Sequence, residues 1–229
     1  MSGTTVNRTG LLAPRLLVLP GVYQPQADTR LLADALAGED LHPTTEVLDI
    51  GTGTGAVALG AARRGAQVTA VDVSRRAVAT TRLNALRHHL PLTVLHGDFT
   101  TRTRGRRFDL VLANPPYVPS PHTRLPTNGP ARAWDAGPDG RLVIDRICAS
   151  APALLRPGGV LLMVHSAMCG PENTLKRLAQ EGLAGETTLG ARVSWGPVLH
   201  SRRAWLQERG LSEAGEEQEE LVVIRARAL

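Results

Sequence analysis

Few folds are open to a chain in which short apolar strands alternate with helices at least five times. The predicted strands here are 46–50, 67–71, 92–95, 108–113 and 160–164. Helical spacing fills 31–37, 56–64, a stretch from a Ser74 cap to about 88, and stretches at about 141–155 and 172–181. The 74–88 helix is read with Val78, Leu83 and Leu86 on its apolar side. A strand near 187–193, a short helix near 202–209, an acidic loop and a strand at 221–226 complete the series. Alternation of this kind predicts an α/β fold, with a parallel sheet covered on both faces. The 229 residues suffice for one such domain, read as 21–229 behind a lead-in segment at 1–20.

Ligands of such sheets bind at the carboxyl ends of the strands, near the point where strand order reverses. Asp49 and the turn Gly51-Thr52-Gly53-Thr54-Gly55 follow the first strand. Glycine lets the backbone turn sharply and approach a ligand, and the next helix presents free N–H groups to an anion. No Gly-Lys-Ser/Thr follows, so the turn is not a nucleotide-triphosphate loop. Asp72 ends the second strand about 20 residues beyond the glycines, the spacing at which a carboxylate accepts both ribose hydroxyls of an adenosine group. Gly97-Asp98-Phe99 follows the third strand, where Asp98 suits an adenine amino group and Phe99 the ring. Asn114-Pro115-Pro116-Tyr117 ends the fourth. Its prolines fix the backbone, so the Asn114 side chain and the Pro115 carbonyl suit the two hydrogens of a planar NH2 group, with Tyr117 as an aromatic wall.

These motifs, in this order and spacing, resemble those of the class I S-adenosylmethionine-dependent methyltransferases. Within that class the chain resembles the HemK-like enzymes that methylate a glutamine of peptide release factors. The resemblance runs over roughly 20–229 and includes Tyr23-Gln24-Pro25-Gln26-Ala27-Asp28-Thr29, similar to a segment that closes over the cofactor. Ala133-Trp134-Asp135-Ala136-Gly137, Gly140-Arg141 and Asp145-Arg146 resemble the shorter archaeal and eukaryotic branch. The resemblance implies a single Rossmann-like, doubly wound sheet of about seven strands, mostly parallel, with an antiparallel C-terminal strand. It implies S-adenosylmethionine as cofactor, held by Asp28, Thr29, Asp49, Gly51, Gly53, Gly55, Asp72, Asp98, Phe99 and Asn114, and a catalytic group of Asn114, Pro115 and Tyr117. It also implies a protein substrate of the release-factor type and a small activator subunit. The departures lie on the substrate side. The bacterial branch's helical N-terminal domain is expected to be missing before Tyr23. Gly129-Pro130 lacks an acid, His165-Ser166 is atypical, and about 206–220 reads as an insertion.

The competing enzymatic reading is methylation of an exocyclic amine of a nucleic-acid base or of a small metabolite. A net charge of +5 favours an acidic partner, and arginines at 102–107 and 202–203 would then track phosphates. Against this, only Lys176 among the 26 basic residues is a lysine, which points to base-composition bias rather than a recognition surface. A binding module that had kept only the fold would be expected to have lost Asp72, Asn114 or the glycines, and all are present. Cys148 and Cys169 form no CxxC pair and no zinc-spaced cluster, so reduced thiols, no metal and a cytoplasmic location are expected. No apolar run reaches the roughly 18 residues of a membrane helix. His88 and His89 read as a helix end, Trp195 and Trp205 as core or interface, and Trp134 as packing for a proline- and glycine-rich loop at 118–140. His165 and Cys169, near a strand end, read equally as pocket lining or loop filler.

Overall fold

The computed structural model describes residues 15–229. Eight helices and seven strands follow one another along them. They are α1 (Ala27–Ala37), β1 (Glu46–Ile50), α2 (Ala56–Arg63), β2 (Gln67–Asp72), α3 (Arg75–Arg87), β3 (Leu92–His96), α4 (Phe99–Arg102) and β4 (Phe108–Ala113). Then come α5 (Leu142–Leu154), β5 (Leu155–Ser166), α6 (Pro171–Gln180), β6 (Leu183–Ser194), α7 (Pro197–Ser201), α8 (Arg203–Glu208) and β7 (Gln218–Ala228). All seven strands join one sheet in the order β3-β2-β1-β4-β5-β7-β6. Strands β1 to β5 run parallel, and β7 lies antiparallel between β5 and β6. This is the doubly wound, mostly parallel sheet expected from the sequence.

Strand order reverses between β1 and β4. The chain leaves β1 toward β2 and β3, then crosses back to β4 on the other side. Leu48, Val111, Leu112, Leu161, Leu162 and Met163 of the central strands are almost completely buried. Sheets covered on both faces need such continuous apolar runs. Helix α2 is pressed onto this layer so closely that Ala56 to Ala62 are all buried, which its small residues allow. β5 extends back to Leu155, beyond the predicted 160–164, through an irregularity in which the register with β4 shifts between Phe108 and Leu110. β6 and β7 are longer than predicted, at 183–194 and 218–228. The supposed insertion at 206–220 resolves into the end of α8, a loop and the start of β7.

Helix α3 corrects the sequence reading. Val78 is buried as expected, but Leu83 and Leu86 are 43% and 73% exposed. The helix instead turns Thr80, Thr81 and Asn84 inward, each fully buried. The reason lies in unpaired backbone groups below it. Asn84 Nδ2 donates to Thr54 O and Leu17 O (2.9 Å each), and its Oδ1 accepts from Leu17 N (2.8 Å). Thr81 Oγ1 donates to Gly53 O (3.0 Å). A leucine at position 84 would strand three polar backbone groups, each costing about 1–3 kcal/mol. Asn84 also fixes the part of the lead-in segment from residue 15 onward; residues 1–14 of that segment lie outside the described residues.

Asn84→Leu should therefore lower the free energy of urea unfolding by more than about 2 kcal/mol. Leu86→Gln should change it by less than about 0.5 kcal/mol. The opposite ranking would restore the apolar face that periodicity suggests.

Candidate active site

The register between β1 and β4 builds the site. Ile50 pairs with Ala113, so the glycine turn after β1 and Asn114 after β4 leave the sheet side by side. Gly51, Gly53 and Gly55 have φ of 70°, 56° and 81°, which L side chains avoid. Gly51 N and Thr52 N donate to Val71 O (2.9 and 3.2 Å), which ties the turn to β2. A Cβ on Gly55 would lie 2.9 Å from Thr81 Cγ2, so the close approach of α3 requires glycine there. A Cβ on Gly51 or Gly53 would meet nothing beyond its chain neighbours closer than 3.9 Å. The turn thus presents a face open at Gly51 and Gly53, as a cofactor cradle requires.

Two carboxyl groups stand behind this face. Asp72 accepts from Gly53 N (3.0 Å) and Ser74 N (2.8 Å), one bond to each oxygen. Burial raises its pKa against these two opposing hydrogen bonds. Each oxygen keeps a further lone pair for a hydroxyl donor. Asp49, inside β1, is buried, and its pKa is pushed up to about 7. Burial is the main cause, the charge of Asp72 adds to it, and hydrogen bonding from Thr52 and Ala58 opposes it.

Asp98 caps α4. Its Oδ1 accepts from Thr100 N (3.0 Å) and Thr100 Oγ1 (2.5 Å), and its Oδ2 pairs with Arg146 (2.5 Å). Burial alone would raise its pKa, but the Thr100 bonds and the Arg146 charge outweigh burial and hold it low. The Arg146 guanidinium lies 5.1 Å from the centroid of the buried Phe99 ring. Both residues thus reach the third strand end, with most of the acceptor capacity of Asp98 engaged by the protein.

The fourth strand end gathers the residues with the most buried polar chemistry. Tyr117 Oη and Tyr23 Oη both donate to Asp28 Oδ2 (3.3 and 3.0 Å). Asp28 Oδ1 accepts from Thr29 N (2.6 Å) and Thr29 Oγ1 (3.2 Å), and Asn114 Nδ2 donates to Thr29 Oγ1 (3.5 Å). Burial, with the neighbouring charges of Asp28 and Glu219, pushes both tyrosines well above the usual phenol range. Asp28 and Thr29 therefore sit against Asn114 and Tyr117, at the same end of the sheet as the glycine turn.

The loop at 118–140 is folded onto this end. Val118 N donates to Trp134 O (2.7 Å), and Ala136 N to Val118 O (3.1 Å). A Cβ on Gly140 would collide with the Tyr117 carbonyl, which itself accepts from Cys169 Sγ (3.1 Å). Arg141 holds this corner through Cys169 O, Gly170 O, Thr174 Oγ1 and Asp145. His165 is fully buried between Ser166 O (2.9 Å) and Thr174 Oγ1 (3.2 Å), and burial lowers its pKa to about 4. Cys169 and His165 are thus structural supports of the Tyr117 corner. Trp195 is buried with Leu199 and Leu206, as core.

Sequence reasoning missed Glu219. It is half-buried at the start of β7, and its pKa is raised to about 6 by burial, with Asp28 adding and Ser166 opposing. It lies in an acid-rich stretch that reads as loop. Only the insertion of β7 beside β5 brings it to the tyrosines, and no local signal announces that pairing.

Five of the arginines considered for phosphate tracking bond to the chain itself. Arg102 Nε donates to His96 O (2.6 Å), Arg106 Nη2 to Thr69 Oγ1 (3.1 Å) and Arg107 Nη1 to Leu155 O (2.8 Å). Arg202 pairs with Asp135 (2.6 Å), and Arg203 with Glu217 (3.0 Å). Among the described residues, no helix is long and apolar enough to cross a membrane.

A glycine turn, a carboxylate at the next strand end and Asn-Pro-Pro-Tyr across the switch point form the layout of a class I methyltransferase. The family model described as methyltransferase small domain matches residues 15–187. A Methanocaldococcus jannaschii protein named for N5-glutamine methylation is 31% identical over 186 residues, covering 81% of this chain and 92% of that one. The release factor glutamine methyltransferase of Xylella fastidiosa is 39% identical over 169 residues, covering 70% of this chain and 61% of that one. The Encephalitozoon cuniculi Mtq2–Trm112 complex, described as methylating the termination factor eRF1, contains a chain that superposes with a TM-score of 0.62. The match covers 91% of this chain and 99% of that one at 23% identity. The chain belongs to the methyltransferase small domain family, in the HemK-like group of class I S-adenosylmethionine-dependent methyltransferases. It is an enzyme, and S-adenosylmethionine is its cofactor.

The raised pKa of Asp49 has a consequence for stability. Between about pH 4 and pH 7 the folded chain keeps a proton on Asp49 that the unfolded chain has released. The stability this gives is present below about pH 4 and is lost as pH rises to about 7. Urea unfolding of wild type and Asp49→Asn, compared from pH 4 to 8, should show wild type losing ground until about pH 7 and then levelling. A constant difference would mean that Asp49 titrates normally.

Proposed function

We propose that this enzyme methylates the side-chain amide nitrogen of a glutamine in a protein of the release-factor type. The observation that supports this best is the pairing of Ile50 with Ala113, which puts Asn114 and Pro115 beside the open face of the glycine turn. The names of the relatives point to the same acceptor. The backbone of Gly51, Gly53 and Gly55 would cradle the cofactor, and Asp49 would brace the turn. Asp72 would take the ribose hydroxyls, and Asp98 and Phe99 would flank the adenine. Bound there, S-adenosylmethionine supplies an electrophilic methyl group.

The chain's own part is orientation. Pro115 O and Asn114 Oδ1 accept the two hydrogens of the acceptor NH2, which turns its lone pair toward the methyl group. Tyr117 closes one side of the acceptor. Holding reactants in such an arrangement can supply most of the acceleration. No general base is needed at the attacking step, because the nitrogen sheds its proton afterwards. A nucleic-acid acceptor is less favoured, because Arg102, Arg106, Arg107, Arg202 and Arg203, proposed to track phosphates, bond within the chain.

A small protein partner belongs to the same reading. β3 is an edge strand, and Leu83 and Leu86 stand exposed on the helix that leads into it. Arg82 and Arg102 already donate to the edge carbonyls of Val94 and His96, so a partner would cover the leucines rather than extend the sheet.

Labelled methyl transfer tests the acceptor. Purified enzyme, methyl-labelled S-adenosylmethionine and a purified peptide release factor should give label on the factor that protease removes and nuclease does not. Label confined to RNA, DNA or small molecules would sink the protein-glutamine reading. Asn114→Ala should lower turnover about a hundredfold or more with cofactor affinity nearly unchanged. Asp72→Ala should instead weaken cofactor binding measured by calorimetry. An unchanged affinity would remove Asp72 from the ribose role.

A further inference from the structure

Orienting an acceptor NH2 requires that the Asn114 amide face it with oxygen rather than nitrogen. The two ends of an amide have nearly the same shape, so something must choose between them. We infer that Asp28 and Thr29 are positioning residues that make this choice, through a relay of hydrogen bonds ending on Asn114. The inference rests on the reading of Asn114 as the group that orients the acceptor.

The argument follows donors and acceptors. Four donors converge on Asp28, which is only 3% exposed: Tyr23 Oη, Tyr117 Oη, Thr29 N and Thr29 Oγ1. A carboxylate only accepts, so the single hydroxyl proton of Thr29 is committed to it. Thr29 Oγ1 is then left with lone pairs alone toward Asn114. Only the NH2 end of the amide can satisfy a group that has nothing left to donate. Asn114 Nδ2 is accordingly the atom found 3.5 Å from Thr29 Oγ1. The opposite flip would set two acceptors against each other in a partly buried site, or strip Asp28 of a donor. Asn114 Oδ1 is thereby turned away from Thr29 and left for the acceptor. The same carboxylate ties Tyr117 and Tyr23 to this geometry, so one buried acid sets both the amide and the aromatic wall. The expectation that Asp28 and Thr29 contact the cofactor concerns a separate role, which the cofactor Kd in the test below addresses.

The test uses the full chain in two measurements. In the first, no substrate is needed. The side-chain NH2 signals of Asn114, identified by their loss in Asn114→Ala, are followed by NMR for exchange with water. Thr29→Val should speed that exchange at least about fivefold, while Thr29→Ser, which keeps the hydroxyl, should leave it near wild type. If Thr29→Val does not fold, Asp28→Asn serves, because an amide there can no longer hold the Thr29 proton as a pure acceptor does. In the second, turnover on a release factor is measured with cofactor affinity by calorimetry. Thr29→Val should lower kcat about tenfold or more, leave cofactor Kd within about twofold, and add little in an Asn114→Ala background. Three results would overturn the relay. They are Asn114 signals indifferent to both variants, a cofactor Kd that rises while kcat holds, or losses from Thr29→Val and Asn114→Ala that multiply. A fully active Asn114→Ala whose wild-type amide still responds to Thr29→Val would keep the relay and remove the orienting role of Asn114.

Discussion

The pairing of β1 with β4 is the constraint on which the rest depends. Parallel strands in register deliver their following loops to the same edge of the sheet. Because Ile50 and Ala113 are partners, the glycine turn and the Asn-Pro-Pro-Tyr segment emerge together. The apolar residues on both faces of these strands are close-packed against the covering helices, and a slip of one residue would break that fit. The site thus takes its accuracy from the core. Its own loops contribute side chains and turn geometry, and the central sheet contributes their separation.

Helix α3 shows what this arrangement costs elsewhere. A turn built from three glycines leaves carbonyl groups of Gly53 and Thr54 pointing into the protein. Thr81 and Asn84 meet them, and the helix rotates to bring those residues inward. Leucines 83 and 86 then lie on the outside. The same polar face reaches the chain near Leu17, so one helix connects the lead-in segment with the turn. Hydrogen-bond satisfaction has outweighed the burial of two leucines.

Much of this was legible in the sequence because it is local. The order of strands and helices, the glycine turn, Asp72 after β2 and Asn114 after β4 are all announced by short-range patterns. The illegible parts depend on distant pieces of chain. The outward leucines follow from carbonyls about 30 residues away. Glu219 joins the tyrosines only because β7 enters the sheet next to β5. Asp28 and Thr29 could be picked out from the sequence as candidates, but the contact of Thr29 with Asn114 across 85 positions could not. The loop at 118–140 reads as loose from its prolines and glycines. It is instead held down, because Gly140 lets its backbone rest on Tyr117, and Arg141 and Cys169 close over the contact. For the arginine cluster, composition already favoured base bias over a recognition surface. The bonds that Arg102, Arg106 and Arg107 make within the chain add what composition cannot show, namely what each arginine faces.

The place of β7 has a consequence for biosynthesis. It is the last strand in sequence order, yet it lies inside the sheet, with β5 on one side and β6 on the other. While the chain is being made, β6 is complete before the strand that must separate it from β5 has appeared. The two must stay apart, or part again, until residues 218–228 arrive. Glu219 is carried in with that strand and reaches the tyrosines last. The charge that Glu219 adds beside Tyr23 and Tyr117 is therefore in place only when the sheet closes, and synthesis passes through a stage in which the two tyrosines and Asp28 exist without it.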